Sequence, residues 1–339
     1  MRNRIVARAP GKLFVLGEYA VLDGCPAVVA AVDRFIEVTL DGSGSDGHTR
    51  IRSGTAQLEF PTAAPPDDTD AWRFVLAAFR SSLRQHPELA ARGFAIDIVS
   101  RLDAHPGTKA GLGGSAAVTV GLIAAMAAAA GQRLWEKKAR DRLFAAALAA
   151  HRRVQGELGS GADVAASTYG GLILFQPRNG SADISPLRLP AETHFLAAWT
   201  GEPASTTDLV SSYRQEQNGK AAIRATFVEA SRQSVNEFVA TLARGSLSSA
   251  AVLRNGALLE QLATDLSLPL LTPRLRRLVE IARAHGAAAK ISGAGGGDCG
   301  VALARNAVDA QGIKQDWQAA GLVPLDLNIC NEGVIVVEG

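Results

Sequence analysis

The 339-residue chain is 47% hydrophobic and 20% charged, a balance that excludes a disordered or fibrous protein and allows two buried cores. Its 35 basic and 33 acidic residues nearly cancel, so no overall field favours nucleic acid or an anionic membrane, and an anionic ligand must be held locally. Cys25, Cys299 and Cys330 offer neither zinc spacing nor a disulfide framework, which fits a reducing, cytoplasmic setting.

Met1-Arg2-Asn3-Arg4-Ile5-Val6 lacks a long apolar region and reads as the start of a strand, not a signal peptide. Strands are predicted at 6–8 and 13–16, flanking a turn at Ala9-Pro10-Gly11. Residues 27–40 are apolar and β-branched enough for extended structure, ending in the polar loop 41–47. Residues 94–99 alternate as a half-buried strand, and a loop with Pro106-Gly107 follows. The Ala-rich stretch 116–130 is too short for a membrane span and reads as a buried helix. A second helix is predicted over 135–155, broken by 156–161, with a strand at 172–175. Turn residues cluster over 177–190 and a new strand begins at 194–199, which places a boundary between units 1–185 and 186–339. Helices near 220–244, 247–266 and 272–285 precede a Gly-rich loop at 292–300 and strands at 301–303 and 334–337. The mixture lacks strict β-α-β alternation and predicts an α+β fold in both halves.

Four stretches carry candidate chemistry. Gly111-Leu112-Gly113-Gly114-Ser115-Ala116 opens directly onto the Ala-rich helix. By letters it matches a dinucleotide fingerprint, but about ten loop residues separate it from the preceding strand, and no Gly-Lys-Ser/Thr makes a Walker loop. Free amides and the positive helix end make it receptive to phosphate, and a serine there can ligate magnesium or a phosphate oxygen. The plainer reading is a glycine turn with a capping serine. Lys12 follows Pro10-Gly11 at the start of an apolar strand, where a solvated flank is the plain alternative. Asp163, in Gly159-Ser160-Gly161-Ala162-Asp163, precedes an apolar helix start and could simply favour the helix end. Ser292-Gly293-Ala294-Gly295-Gly296-Gly297-Asp298-Cys299-Gly300 has too many glycines for an ordinary turn and suggests close backbone approach.

In that order, the motifs resemble the GHMP small-molecule kinase superfamily from Ala9 to Gly300, and within it the phosphomevalonate kinase branch. The branch likeness lies in Gly17-Glu18-Tyr19-Ala20-Val21-Leu22, in residues 163–171, in Trp199-Thr200-Gly201-Glu202-Pro203-Ala204-Ser205-Thr206 and in residues 295–300. The resemblance implies a two-domain GHMP kinase fold, with a ribosomal S5 domain 2-like N-terminal half and a ferredoxin-like C-terminal half. It implies ATP and Mg2+ as cofactors and 5-phosphomevalonate as the small-molecule partner, with no nucleic acid or membrane, and it leaves a homodimer open. Lys12 and Asp163 would be the catalytic pair. Lys109 and the loop Gly111, Leu112, Gly113, Gly114, Ser115 and Ala116 would hold the nucleotide, with Ser115 and Asp163 near the metal. Lys12, Glu18, Tyr19, Lys109, Ser160 and Gly161 would hold the acceptor, together with Ser205, Thr206, Gly295 and Gly296.

Two departures stand out. Gly114 replaces the first serine of the usual Gly-Leu-Gly-Ser-Ser-Ala loop. Many members carry a magnesium-binding glutamate about eleven residues before the aspartate, where this chain has Arg152. A mevalonate kinase and a non-catalytic nucleotide or metabolite sensor are the competing readings. Tyr19 and residues 199–206 argue against the first, and the joint presence of Lys12, Ser115 and Asp163 against the second.

Overall fold

The computed structural model describes residues 4–338 except 45, 68, 70, 106–107, 135, 157 and 216–219. The readings made for Met1-Arg2-Asn3, Ser45, Pro106-Gly107, Trp135 and Glu157 lie outside the described residues. In chain order the first half holds β1 (Arg4–Leu16), β2 (Ala27–Gly44), β3 (His48–Ser53), β4 (Ala56–Pro61), α1 (Arg73–Gln85) and β5 (Gly93–Ser100). The small hairpin of β6 (Asp103–His105) and β7 (Thr108–Lys109) follows, then α2 (Gly114–Ala129), α3 (Lys137–Gln155) and α4 (Ala162–Tyr169), and the hairpin of β8 (Leu172–Arg178) and β9 (Ser181–Leu187). The second half holds β10 (His194–Trp199), α5 (Thr206–Arg214), α6 (Ala221–Leu242), α7 (Ser249–Asp265) and α8 (Pro273–Ala284). It ends with β11 (Ala288–Ile291), β12 (Cys299–Ala304), α9 (Ala307–Ala319), β13 (Val323–Leu325) and β14 (Ile335–Glu338).

The first sheet runs β14-β1-β2-β5-β3-β4. β2 spans 18 residues, enough to pair with β5 along one half and with β8 along the other. The turn expected at Ala9-Pro10-Gly11 is instead a bulge inside β1, because the residues on both sides pair with the same strand, β2. Pro10 has no N–H for a ladder, and the register shifts between it and Gly11. Past the bulge the Lys12 N–H donates to the Leu112 carbonyl at 2.8 Å, so the irregularity docks the glycine loop against β1. β2 also runs on to Gly44, beyond the loop expected from Asp41.

The Ala-rich α2 is buried along nearly its whole length, packed against β1, β2, α1, α3 and α4. Its small side chains let these neighbours close in: a Cβ on Gly121 would stand 3.2 Å from Val38. Together they form the largest core. Among the described residues no helix is long and apolar enough to cross a membrane.

The second sheet, β11-β12-β10-β13, is antiparallel throughout, with the β-α-β-β-α-β order of a ferredoxin-like unit once α5–α8 are taken as one insertion. Side-chain caps fix several helix starts: Ser248 accepts from Ala251 N–H, and Thr272, with Pro273 following, accepts from Leu275 N–H. β14 leaves this half and pairs with β1, so the chain's last strand completes the first sheet.

Candidate active site

A cavity of about 770 Å3 lies between the two halves, within the usual size of small-molecule sites. The glycine loop forms one wall. Gly111 and Gly113 have φ of 71° and 80°, the left-handed region that glycine adopts without steric cost. Each also leaves room for a functional side chain. A Cβ on Gly113 would stand 2.9 Å from Lys12 Cγ, and one on Gly111 would stand 2.5 Å from Asp298 Cγ. Lys12 Nζ donates to the Gly111 carbonyl at 3.1 Å and lies 5.5 Å from the Phe14 ring centroid. The lysine is therefore folded over the loop at the cavity wall.

Gly114 differs from its neighbours. Its φ is not positive, and an added Cβ would meet nothing closer than Ile36 and Leu102 methyls at 4.0 Å. Gly114→Ser is expected to fold, to gain about 0.5 kcal/mol by removing a glycine from the first turn of α2, and to keep or modestly tighten ATP binding. Thermal unfolding and the KM for ATP check this. Lower stability together with weaker ATP binding would contradict the loop geometry.

Ser115 lies in the first turn of α2, half-buried at the cavity, and its hydroxyl is 3.0 Å from His151 Nε2 on α3. His151 is only 1% exposed and stacks on Phe74 with ring centroids 5.0 Å apart. Burial lowers its pKa from the ordinary histidine value while the negative charge of Asp163 acts the other way. Counting back eleven residues from Asp163 led to Arg152. That side chain turns elsewhere, Nη2 donating to the Ser160 carbonyl at 3.3 Å, and His151 is the α3 residue that meets the loop serine. Asp163 lines the cavity from the first turn of α4, with Oδ1 accepting from Val164 N–H at 2.9 Å. Among the described residues Asp163 makes no ion pair with Lys12, and no group of three His, Cys, Asp or Glu side chains could hold a metal alone. One hydroxyl and one carboxylate on a shared cavity do fit magnesium that arrives on nucleotide phosphates, because this hard cation keeps waters and needs few protein oxygens.

On the opposite wall Glu18 is 2% exposed and hydrogen-bonds Lys290 of β11, itself fully enclosed and also bonded to the Ile291 carbonyl at 2.7 Å. Burial lowers the Lys290 pKa, and Glu18 acts against that shift. Removing one partner of such a pair costs about 3–5 kcal/mol. Among the described residues Glu18 Oε2, itself enclosed, has no hydrogen-bond partner. The Tyr19 hydroxyl donates to the Ala294 carbonyl at 2.6 Å and its ring packs on Tyr213, so Tyr19 faces the cavity as an aromatic wall with its hydroxyl already used. Ser160, Ser205, Thr206 and Lys109 also line the cavity.

Four residues placed at the site by the sequence reading do not line it. Ala116 is enclosed in α2, and Gly161 packs its backbone against Leu148 at the start of α4. Gly295 and Gly296 press on the backbone of Pro269 and Leu270 instead, and the Gly296 N–H donates to the Leu270 carbonyl at 2.7 Å. Ser292, Gly293, Ala294 and Asp298 are the residues of that loop which reach the cavity. Asp298 accepts from the Ala204 N–H at 3.2 Å; burial pushes its pKa up, while that bond and the charges of Lys12 and Lys109 pull it down.

The sequence reading assigned no role to His151, Asp298 or Lys290, nor to the apolar end of the cavity. There Trp72 and Phe74 at the start of α1 face Ile36 of β2 and Ile98 of β5. Asp298 could have been noticed as the one charge in a glycine-rich run. The other partners are brought together by packing between distant segments.

Comparison with known proteins adds the following. The family profiles "GHMP kinases N terminal domain" and "GHMP kinases C terminal" match residues 73–171 and 247–322. The chain is 36% identical to phosphomevalonate kinase of Streptomyces sp. (strain CL190), covering 98% of this chain and 99% of that one. It is 29% identical to mevalonate kinase of Thermococcus sibiricus, covering 98% of each. Its structure is similar to that of Streptococcus pneumoniae phosphomevalonate kinase in complex with phosphomevalonate and AMPPNP, with a TM-score of 0.79, 26% identity, and coverage of 96% and 99%.

Proposed function

This chain belongs to the GHMP kinases and is an ATP-dependent kinase, and from that premise we propose that it phosphorylates 5-phosphomevalonate to 5-diphosphomevalonate. The observation that carries the reading is the placement of Lys12, Lys109, the glycine loop and Asp163 around one cavity that has an apolar end at Trp72 and Phe74. Adenine suits the apolar end, the triphosphate the loop and the start of α2, and the acceptor the side lined by Ser160, Ser205, Thr206 and Glu18. The likeness to the Streptomyces enzyme, at higher identity than the mevalonate kinases, supports the same acceptor.

Phosphoryl transfer asks the protein mainly for positioning and charge stabilisation. An oxygen of the acceptor's phosphate attacks the γ-phosphorus of ATP, the bond to the β–γ bridging oxygen breaks, and ADP leaves with that electron pair. The second pKa of a phosphate monoester is about 6, so the attacking oxygen is already largely ionised and needs no strong base. Lys12 neutralises charge between donor and acceptor, and its contact with the Gly111 carbonyl ties its position to that of the loop. Asp163 and Ser115 would hold magnesium, which would supply positive charge to offset that of the phosphates. Asp163 thereby positions charge more than it moves a proton. Glu18, enclosed and held by Lys290, braces that side of the cavity from behind. Lys109 supplies a second cation from the β6–β7 hairpin side of the cavity, where the acceptor's anionic groups would otherwise be desolvated unpaired.

The test is a steady-state comparison of acceptors with ATP and magnesium. kcat/KM for 5-phosphomevalonate is expected to exceed that for mevalonate by about a hundredfold or more, the scale of losing a charge-assisted contact. Equal or better use of mevalonate would overturn the acceptor while leaving the kinase in place.

A further inference from the structure

We infer that His151 is a positioning residue whose Nε2 accepts a hydrogen bond from the Ser115 hydroxyl, in the tautomer protonated at Nδ1, and so aims the serine's lone pairs at the cation carried by the nucleotide. The inference deepens the proposed function and rests on its reading of Ser115 as a ligand near the metal.

Ser115 has little conformational freedom within α2. Its carbonyl is pinned within α2, accepting from Thr119 Oγ1 at 2.8 Å, so the hydroxyl's remaining freedom is rotation about its own side-chain bonds. A hydroxyl has one proton and two lone pairs. If the proton points into the cavity, it faces the cation and repels it. If it is donated away from the cavity, both lone pairs remain for a ligand. His151 Nε2, 3.0 Å from Oγ, is the polar atom placed to receive it. The imidazole cannot easily turn aside, because it is enclosed at 1% exposure and stacked on Phe74 with an interplanar angle of 29°. Phe74 belongs to the start of α1, which also lines the cavity's apolar end. One side chain therefore couples the loop serine to the wall that we assign to the base.

The neighbouring α3 residue does not share this task, since Arg152 points to the Ser160 carbonyl. Among the described residues Asp163, which lines the cavity from α4, is the carboxylate whose charge acts on that ring. Among the described residues α3 thus meets the loop serine with an imidazole and not a carboxylate. The serine's orientation becomes correspondingly important, because fewer protein oxygens share the work.

The experiment is calorimetric binding of ATP to the full chain, with magnesium and with a chelator, for His151→Met, His151→Gln, Ser115→Ala and the double variant Ser115→Ala/His151→Met. His151→Met fills the space without an acceptor and is expected to weaken binding of the magnesium complex about tenfold, the scale of one well-placed hydrogen bond, leaving metal-free ATP binding unchanged. His151→Gln, which again offers an acceptor, is expected to recover most of the loss. The double variant should bind no more weakly than Ser115→Ala alone, because His151 acts through the serine. Equal losses with and without magnesium, or additive losses in the double variant, are the pattern of a packing residue and would overturn the inference. If Ser115→Ala itself changes neither affinity, the metal role of Ser115 fails and the inference falls with it.

Discussion

Lys12→Met is expected to lower kcat by about a hundredfold or more, the scale of removing one positioned electrostatic group. Methionine has nearly the reach of lysine and keeps the apolar contact with Gly113 and Phe14, so the substitution isolates the charge. The Gly111 carbonyl loses a donor but lies at a partly open cavity, where water can replace it. Stability should therefore change little while turnover collapses. Asp163→Asn is expected to behave in the same way, because it keeps the shape and the acceptor for Val164 N–H while removing the negative charge that, on the proposed reading, would hold the metal. Steady-state kinetics at saturating substrates, with thermal unfolding as control, check both. Two folded variants with near-normal kcat would mean that this pair does not stabilise the transferring group.

Gly111→Ala is expected to have the other large effect, for a reason of shape and not of charge. Left-handed backbone costs a residue with a Cβ about 1–2 kcal/mol. The new methyl would also overlap the Asp298 side chain, 2.5 Å from Cγ and 2.6 Å from Oδ2. Asp298 has little room to retreat: it accepts from Ala204 N–H, its own N–H donates to the Glu202 carbonyl at 2.7 Å, and its carbonyl accepts from Thr200 N–H at 2.9 Å. The loop would give way, and the carbonyl that holds Lys12 would move with it. A displacement of about 1 Å at such a place can cost a hundredfold in rate. We expect kcat/KM for ATP to fall by about that factor, with Gly114→Ala, three residues further on, as a tolerated control. Near-normal activity for Gly111→Ala would show that Asp298 does not brace the loop.

The motif residues were legible in the sequence because glycines, a proline and isolated charges have strong local meaning. Strand 194–199 and the helices at 220–244, 247–266 and 272–285 were readable for a similar reason, their patterning being local, and α7 and α8 start on capping side chains. The Pro10-Gly11 pair shows the limit of such reading. The dipeptide is as fit for a bulge as for a turn, and what decides is whether the flanking strands share a partner, which only the tertiary register supplies. The segment 48–85, read without elements, became β3, β4 and α1. Its strands are short and charge-rich, with Arg50 paired to Asp46 and Glu59 and Arg52 to Asp97, so apolar alternation was weak.

The candidate site was legible to the same degree. Lys12, Ser115 and Asp163 stand in motifs whose family resemblance singled them out, while their local context alone left plainer readings open. His151 looks like any histidine on the buried side of an amphipathic helix until α3 packs on α2 and brings it to Ser115, 36 positions away. Lys290 and Glu18 are 272 positions apart. Gly295 and Gly296 drew attention for the right property, close backbone approach, but the neighbour they approach is the chain at Pro269-Leu270 and not the cavity.

The central claim is that a phosphate, and not an alcohol, accepts the phosphoryl group. Phosphorus NMR of the reaction with ATP, magnesium and 5-phosphomevalonate tests it most directly. The account predicts loss of the acceptor's monoester signal and growth of a coupled pair of diphosphate signals in step with ADP. A monoester signal that persists while mevalonate, supplied in its place, is converted to a new phosphate monoester would contradict it.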